Sequence, residues 1–316
     1  MNSPVIKVRD IRYVMYEHPD LDTIEVFLAD FGLALSARTE DALYMRGASS
    51  AHHIYVAKQG NSSRFLGFAF DVAARSDLEV LASYSGATPI QPIAAPGGGE
   101  RVSISDPDGL HIDVVYGIET LPELEIRTPL VLNYATSKHR LGERQSLPRG
   151  APRVLRLGHV GLNVLSYEKS FEFYSGVLGM IASDDLYDRE PTYRVGGFLR
   201  CDRGESWTDH HTVALFQHPK QASIHHASFE LQDIDSVMFG HDWLGAKGWQ
   251  SYWGVGRHVL GSQVFDYWRD PFGNMIEHYA DGDVCSASTS RGIHQRSADL
   301  RKFWGPPVPH DFMAHD

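Results

Sequence analysis

The sequence predicts an α+β chain made of four repeated βαβββ units, paired into two domains. Three observations carry this reading. Two long stretches share one strand, turn, helix, glycine pattern. A double histidine opens an alternating run in both halves. An Asp-Pro-x-Gly turn precedes the closing alternating run of both halves.

The first observation comes from "DIRYVMYEHPDLDTIEVFLADFGL" (Asp10 to Leu33) and "LRLGHVGLNVLSYEKSFEFYSGVLGM" (Leu155 to Met180). Each reads as a strand, a turn and an amphipathic helix. In the second, Phe171, Tyr174 and Leu178 fall at i, i+3 and i+7, which gives one apolar helical face. Gly179 follows the last apolar residue and suits a helix stop. The second observation pairs "LYMRG…AHHIYVAKQ" with "FLRCD…DHHTVALFQ", and "FLGFAFDV" with "IHHASFELQD". The third pairs "ISDPDGLHIDVVYG" with "YWRDPFGNMIEHYADG". In such a turn Pro presets φ and Gly supplies a positive φ. The runs that follow alternate, as strands with one buried face do.

The units fall at about 10–58, 64–118, 155–217 and 224–281. This predicts an N-terminal domain over 1–121 and a C-terminal domain over 155–285, joined by a polar, Pro- and Arg-containing linker over 122–154. The tail, 286–316, carries "WGPPVPHDF" and is too proline-rich for a helix or central strand. Its aromatic residues predict that it packs back onto the body.

Composition bounds the function. With 42% hydrophobic and 22% charged residues, the chain can bury real cores and reads as a soluble protein. A net charge of -11 would repel nucleic acid and anionic membrane surfaces. Only Cys201 and Cys285 are present, so no disulfide framework is expected and a reducing cytoplasm fits. The start, "MNSPVIKVRD", lacks a signal-peptide pattern, and no apolar run approaches the roughly 18 residues that span a bilayer.

The two halves differ where chemistry would show. Alignment of the strands sets Tyr13 opposite His159, Gly67 opposite His226 and Asp113 opposite Glu277. The second half thus gathers two imidazoles and one carboxylate. On one face, with other positions open, that is the ligand set of a non-haem Fe(II) oxygenase.

The motifs "GHVGLNV", "DHHTVALF", "IHHASFEL" and "GRHVLGSQVFDYWRDPFGNMIEHY" make the chain similar to the type I extradiol catechol dioxygenases of the vicinal oxygen chelate superfamily. That family, which shares the glyoxalase-like fold, includes catechol 2,3-dioxygenases and 2,3-dihydroxybiphenyl dioxygenases. The resemblance covers nearly the whole chain. It implies metal ligands at His159, His226 and Glu277, with Fe(II) as the ion and Mn(II) as the alternative. It implies an acid/base histidine at His211, a substrate-side histidine at His258 and a tyrosine at Tyr267. The partners would be a catechol and O2, in the catabolism of aromatic compounds, with the ring cleaved beside the two hydroxyls. A homo-oligomer, tetrameric or larger, is also implied.

Several other residues enter as expectations. His210, His225 and His278 read as structural or surface residues, and His52-His53 as a relic of duplication without metal partners. Trp207, Trp249, Trp253, Phe303 and Trp304 could line an apolar substrate pocket or belong to the core, and Arg257 or Arg301 could meet a substrate carboxylate. Two alternatives share the fold: a glyoxalase-like metal-dependent isomerase or transferase, and a metal-free binding protein of the bleomycin-resistance type.

Overall fold

The computed structural model of the chain describes residues 3–147 and 149–313. The N-terminal half begins with β1 (Val8–His18), α1 (Leu21–Asp30), β2 (Ala34–Arg38), β3 (Ala42–Arg46) and β4 (Tyr55–Gln59). It continues with β5 (Arg64–Val72), α2 (Arg75–Leu81), β6 (Gln91–Pro92), β7 (Glu100–Ser105) and β8 (His111–Tyr116). These eight strands form one sheet, ordered β2-β3-β4-β1-β5-β8-β7-β6. The first strands of the two units, β1 and β5, pair antiparallel at its centre.

The C-terminal half repeats the plan. It contains β9 (Val154–Val164), α3 (Tyr167–Gly176), β10 (Met180–Tyr187), β11 (Arg194–Cys201), the short β12 (Thr208–Asp209) and β13 (Val213–Gln217). Then come β14 (Ser223–Leu231), α4 (Ile234–Ala246), β15 (Gln250–Arg257), β16 (Val264–Arg269), β17 (Met275–Ala280) and the short β18 (Val284–Cys285). A tail strand, β19 (Gly292–Gln295), pairs in parallel with β10 and completes a nine-stranded sheet ordered β15-β16-β17-β14-β9-β13-β11-β10-β19.

Local chemistry explains the helices. Asp20 caps α1 by accepting hydrogen bonds from the Asp22 and Thr23 N–H groups, each at 3.0 Å. Leu21, Ile24, Phe27 and Leu28 then form its buried face. In α3 the buried stripe is Tyr167, Ser170, Phe173 and Tyr174, while Phe171 is only half-buried. The stripe is therefore rotated from the Phe171–Tyr174–Leu178 face that the sequence suggests. The helix ends at Gly176, and Leu178 is buried beyond it. Gly179 has a φ of 73°, and a Cβ there would lie 2.6 Å from the Ile6 carbonyl oxygen. Its counterpart Gly32, at φ 106°, would meet the Pro152 carbonyl oxygen at 2.3 Å. The chain leading into each half thus crosses behind the first helix of the other.

No helix among the described residues is long and apolar enough to cross a membrane.

Candidate metal centre and cleft

Strand register builds the site. In the C-terminal sheet β14 lies between β9 and β17. Ser228 of β14 is the partner of His159 on β9 and of Glu277 on β17. The three residues therefore form one row across the sheet and share a face. His226 lies two residues before Ser228 on the same strand, so the pleat returns its side chain to that face. Ser228 is small, which leaves the space above it to the larger neighbours. Gly161, the register partner of His226, does the same: a Cβ there would lie 2.4 Å from His226 Cε1.

The ligand atoms converge. His159 Nε2 is 3.3 Å from Glu277 Oε2, His226 Nε2 is 3.5 Å from the same oxygen, and the two Nε2 atoms are 3.3 Å apart. All three residues are buried, Glu277 with no exposed surface. Neither Glu277 oxygen has a hydrogen-bond partner among the described residues. A buried carboxylate left in this state is costly unless a cation compensates it. Burial works against ionisation of Glu277, yet the imidazoles of His159, His258 and His226 outweigh it and hold the carboxyl well below its usual range. Burial first, with neighbouring imidazoles next, holds His226 well below the usual histidine value, so its nitrogen is free to ligate. Atoms about 3.3–3.5 Å apart can all be reached by one ion at ordinary ligand distances of about 2.0–2.2 Å. The site fits a divalent ion held by two neutral imidazoles and a carboxylate.

The remaining sequence-predicted residues surround this triangle. His211 lies between β12 and β13, its ring centroid 4.1 Å from that of His159. Burial, the first cause, pushes its pKa well below the usual histidine value. His258 follows β15. Its Nδ1 donates to the Arg301 carbonyl at 2.8 Å, so its Nε2 accepts from the Tyr267 hydroxyl at 3.0 Å. Tyr267 is on β16, buried, and its hydroxyl is held protonated well above the usual range by burial and by Glu277. His159, His226, His211, His258 and Tyr267 all line one cleft.

The walls of that cleft correct several expectations. Of the five aromatic residues considered for the pocket, only Trp253 lines it. Trp249 packs edge-on against Phe27 and donates its indole N–H to Asp30 of the other half. Trp207 is 66% exposed, Phe303 64% and Trp304 45%, outside the cleft lining. The apolar walls come instead from Leu186, Phe198, Phe216, Leu260, Leu300 and Phe312, among others. Arg301 and Arg296 border the cleft, whereas Arg257 bonds the Ser262 carbonyl and Asp281.

His210, His225 and His278 are not surface residues. Each is buried and each has a specific partner. His278 donates to the Phe31 carbonyl at 2.7 Å and stacks on the Phe31 ring, tying the two halves together. His210 meets Asp184, and His225 meets the Phe312 carbonyl. Three contributors escaped sequence reasoning: Gly161, Asp184 and Arg296. Only Gly161 left a legible signal, two residues after His159 in "GHVGLNV" and so on the same strand face.

The chain matches the model of the Glyoxalase/Bleomycin resistance protein/Dioxygenase superfamily over residues 156–278. It is 31% identical to metapyrocatechase 2 of Cupriavidus necator, covering 98% of this chain and 92% of that protein. It is 26% identical to biphenyl-2,3-diol 1,2-dioxygenase of Paraburkholderia xenovorans, covering 86% and 88%. Among solved structures it is similar to homoprotocatechuate 2,3-dioxygenase of Brevibacterium fuscum in complex with 3,4-dihydroxyphenylacetate. There the TM-score is 0.81 at 19% identity, covering 99% and 94% of the two chains. The Mn(II)-bound glyoxalase of Novosphingobium aromaticivorans has the same fold, with a TM-score of 0.80 at 24% identity and coverage of 96% and 95%. The protein belongs to the extradiol catechol dioxygenases of the vicinal oxygen chelate superfamily.

Proposed function

We propose that this chain is an iron(II)-dependent extradiol dioxygenase acting on a catechol with an apolar or second-ring substituent. The carrying observation is the buried triangle of His159 Nε2, His226 Nε2 and Glu277 Oε2, whose carboxylate lacks a hydrogen-bond partner among the described residues. His159, His226 and Glu277 hold the ion; Mn(II) is the alternative to Fe(II). When bound, the ion supplies positive charge that favours a catechol's ionised form and positions where catechol and O2 meet side by side.

The chain's own groups do the rest. Tyr267 O–H donates to His258 Nε2, which fixes both groups. On the cleft wall, the Tyr267 oxygen would then accept a hydrogen bond from a substrate hydroxyl. His211 takes a substrate proton at Nε2 and returns it to the product side of the reaction, as a general base and then a general acid. Phe198 and His159 hold its ring. Phe312 packs on Trp253 and Tyr267 and restricts water at the cleft. Leu186, Phe216 and Leu300 offer an apolar bed to a substituent. The product is a ring-opened acid cleaved beside the two hydroxyls.

A panel of catechols tests this with Fe(II)-loaded, anaerobically prepared enzyme. The panel holds catechol, alkylcatechols, 2,3-dihydroxybiphenyl and 3,4-dihydroxyphenylacetate, read by the yellow ring-fission product and O2 uptake. The expected result is the highest kcat/KM on an apolar-substituted member. No O2 uptake on any member would overturn the dioxygenase reading. A preference for the carboxylate-bearing member would overturn the substrate class and shift attention to Arg296 and Arg301. A homo-oligomer is also proposed, checked by light scattering of the purified protein.

A further inference from the structure

Histidine pairs occur three times in this chain, and in each the two rings meet through their Nδ1 atoms. The distances are 3.1 Å for His52–His53, 3.0 Å for His210–His211 and 2.7 Å for His225–His226. One hydrogen can occupy such a contact, so one Nδ1 must donate and the other accept. What decides the direction is the far nitrogen of the outer ring.

At His210 that nitrogen, Nε2, lies 2.7 Å from Asp184 Oδ2. The other Asp184 oxygen is 2.8 Å from His294 Nε2. Asp184 sits on β10, and burial would raise its pKa, but the His210 and His294 contacts outweigh that and lower it. An ionised carboxylate only accepts, so both Nε2 atoms carry hydrogens. With its ring hydrogen on Nε2, His210 has a bare Nδ1, which accepts from His211 Nδ1–H. His211 is left with an unprotonated Nε2.

We propose that Asp184, acting through His210, is a positioning residue that fixes His211 in the Nδ1–H tautomer, with its Nε2 lone pair offered to the cleft. This deepens the reading of His211 as the proton carrier and rests on it. A base must present a lone pair to its substrate, and the carboxylate two rings away enforces that form.

The His225–His226 pair supports the rule independently. His225 Nε2 lies 2.7 Å from the Phe312 carbonyl oxygen, which also only accepts. The same reasoning makes His226 Nδ1 a donor and leaves His226 Nε2 bare, pointing at Glu277 and His159. That is the tautomer a metal ligand needs. The His52–His53 pair lacks such an anchor among the described residues. Its outer ring has the Ser36 hydroxyl at 3.3 Å, on the same Nδ1, and a hydroxyl can donate or accept. The pair with no proposed chemistry is thus the one with no acceptor-only anchor in this structure.

The direct test is tautomer-resolved ¹⁵N–¹H NMR of ¹⁵N-histidine-labelled, Zn(II)-substituted full-length protein, a diamagnetic form. The His211 signals are assigned by their loss in His211→Phe. The expected wild-type pattern is Nδ1–H with an unprotonated Nε2. Asp184→Ala should shift His211 toward the Nε2–H form. In the Fe(II) enzyme it should lower kcat about tenfold or more, the scale of a misdirected acid/base group, with little change in catechol KM. Asp184→Glu should recover part of kcat. An Nε2–H pattern for His211 in the wild type would overturn the proposal, and needs no variant to fold. An unchanged tautomer and kcat in Asp184→Ala would do the same. His211→Phe separates this from the underlying reading. If it retains iron and normal kcat, His211 is not the proton carrier. If it loses turnover while Asp184→Ala does not, only the positioning role fails.

Discussion

The two halves of the chain place different side chains on the same row of the same fold. In the C-terminal sheet the row is His159, Ser228, Glu277. In the N-terminal sheet it is Tyr13, Ala69, Asp113. Asp113 is buried like Glu277, but it receives hydrogen bonds from Tyr13 and Arg101 at 3.2 Å each, Ser103 at 2.5 Å and His111 at 3.0 Å. Glu277 receives none among the described residues. Where His226 stands in one half, Gly67 stands in the other, with a φ of 136° and a Cβ position 2.4 Å from the His111 carbonyl oxygen. One carboxylate is satisfied by its own domain, and the other is the one proposed to hold an ion. The difference between the structural carboxylate and the proposed metal ligand is the set of neighbours, not burial or strand position.

The largest expected effect comes from removing a ligand. His226→Ala should bring bound metal and turnover to background. His225→Ala should weaken metal affinity by about 10–100-fold, because it removes only the acceptor behind His226 Nδ1. Metal content after dialysis, with circular dichroism to check folding, compares them; loss in the His225 variant alone would shift the ligand by one residue.

Next is Gly161→Ala. Its new Cβ would overlap the His226 ring, so metal affinity should fall even though no ligand is changed. Wild-type affinity in this variant would show that His226 has another way to reach the ion.

Asp113→Asn sharpens the contrast from the other side. It should leave metal content and kcat unchanged but cost about 1–3 kcal/mol of stability, since Arg101 and its neighbours lose an ionised partner. The pH dependence has a definite sign. Burial would raise the Asp113 pKa, but His111, Ser103 and Arg101 together lower it below the usual 3.8. A depressed folded-state pKa stabilises the fold above the unfolded value and loses that stabilisation as pH falls through the folded one. The gap between wild type and Asp113→Asn in denaturant titrations should therefore be full above pH 3.8 and close below it. A gap that widened on acidification would contradict this.

The smallest effect belongs to His53→Ala. His53 packs on Tyr13 and Tyr44 and faces no ligand triangle, so kcat should stay at the wild-type level while some stability is lost. A folded variant with lost turnover would reveal a second functional site in the N-terminal half.

Much of this is legible in the sequence. Repeated patterns exposed the four units, and their alignment set Tyr13, Gly67 and Asp113 against His159, His226 and Glu277, as the registers have it. The periodicity of two that defines a strand face makes such alignment informative. What stayed hidden depended on neighbours distant in sequence. Asp184 is 26 residues from His210, and nothing in "SDDLY" marks it. Phe312 reaches His225 across 87 residues. The tryptophans stayed open between pocket and core because aromaticity says nothing of direction: Trp249 packs against the other half and Trp207 faces solvent. The sequence left His210 and His225 open between structural and surface roles; both are buried in hydrogen-bonded contacts.

The most direct measurement is the metal content of anaerobically purified wild type, Glu277→Gln and Asp113→Asn, by elemental analysis on one preparation. The account predicts one iron per chain, or one manganese, in wild type and Asp113→Asn, and none in Glu277→Gln. Iron retained by Glu277→Gln, or lost from a folded Asp113→Asn, would contradict the claim that the His159–His226–Glu277 triangle alone holds the ion.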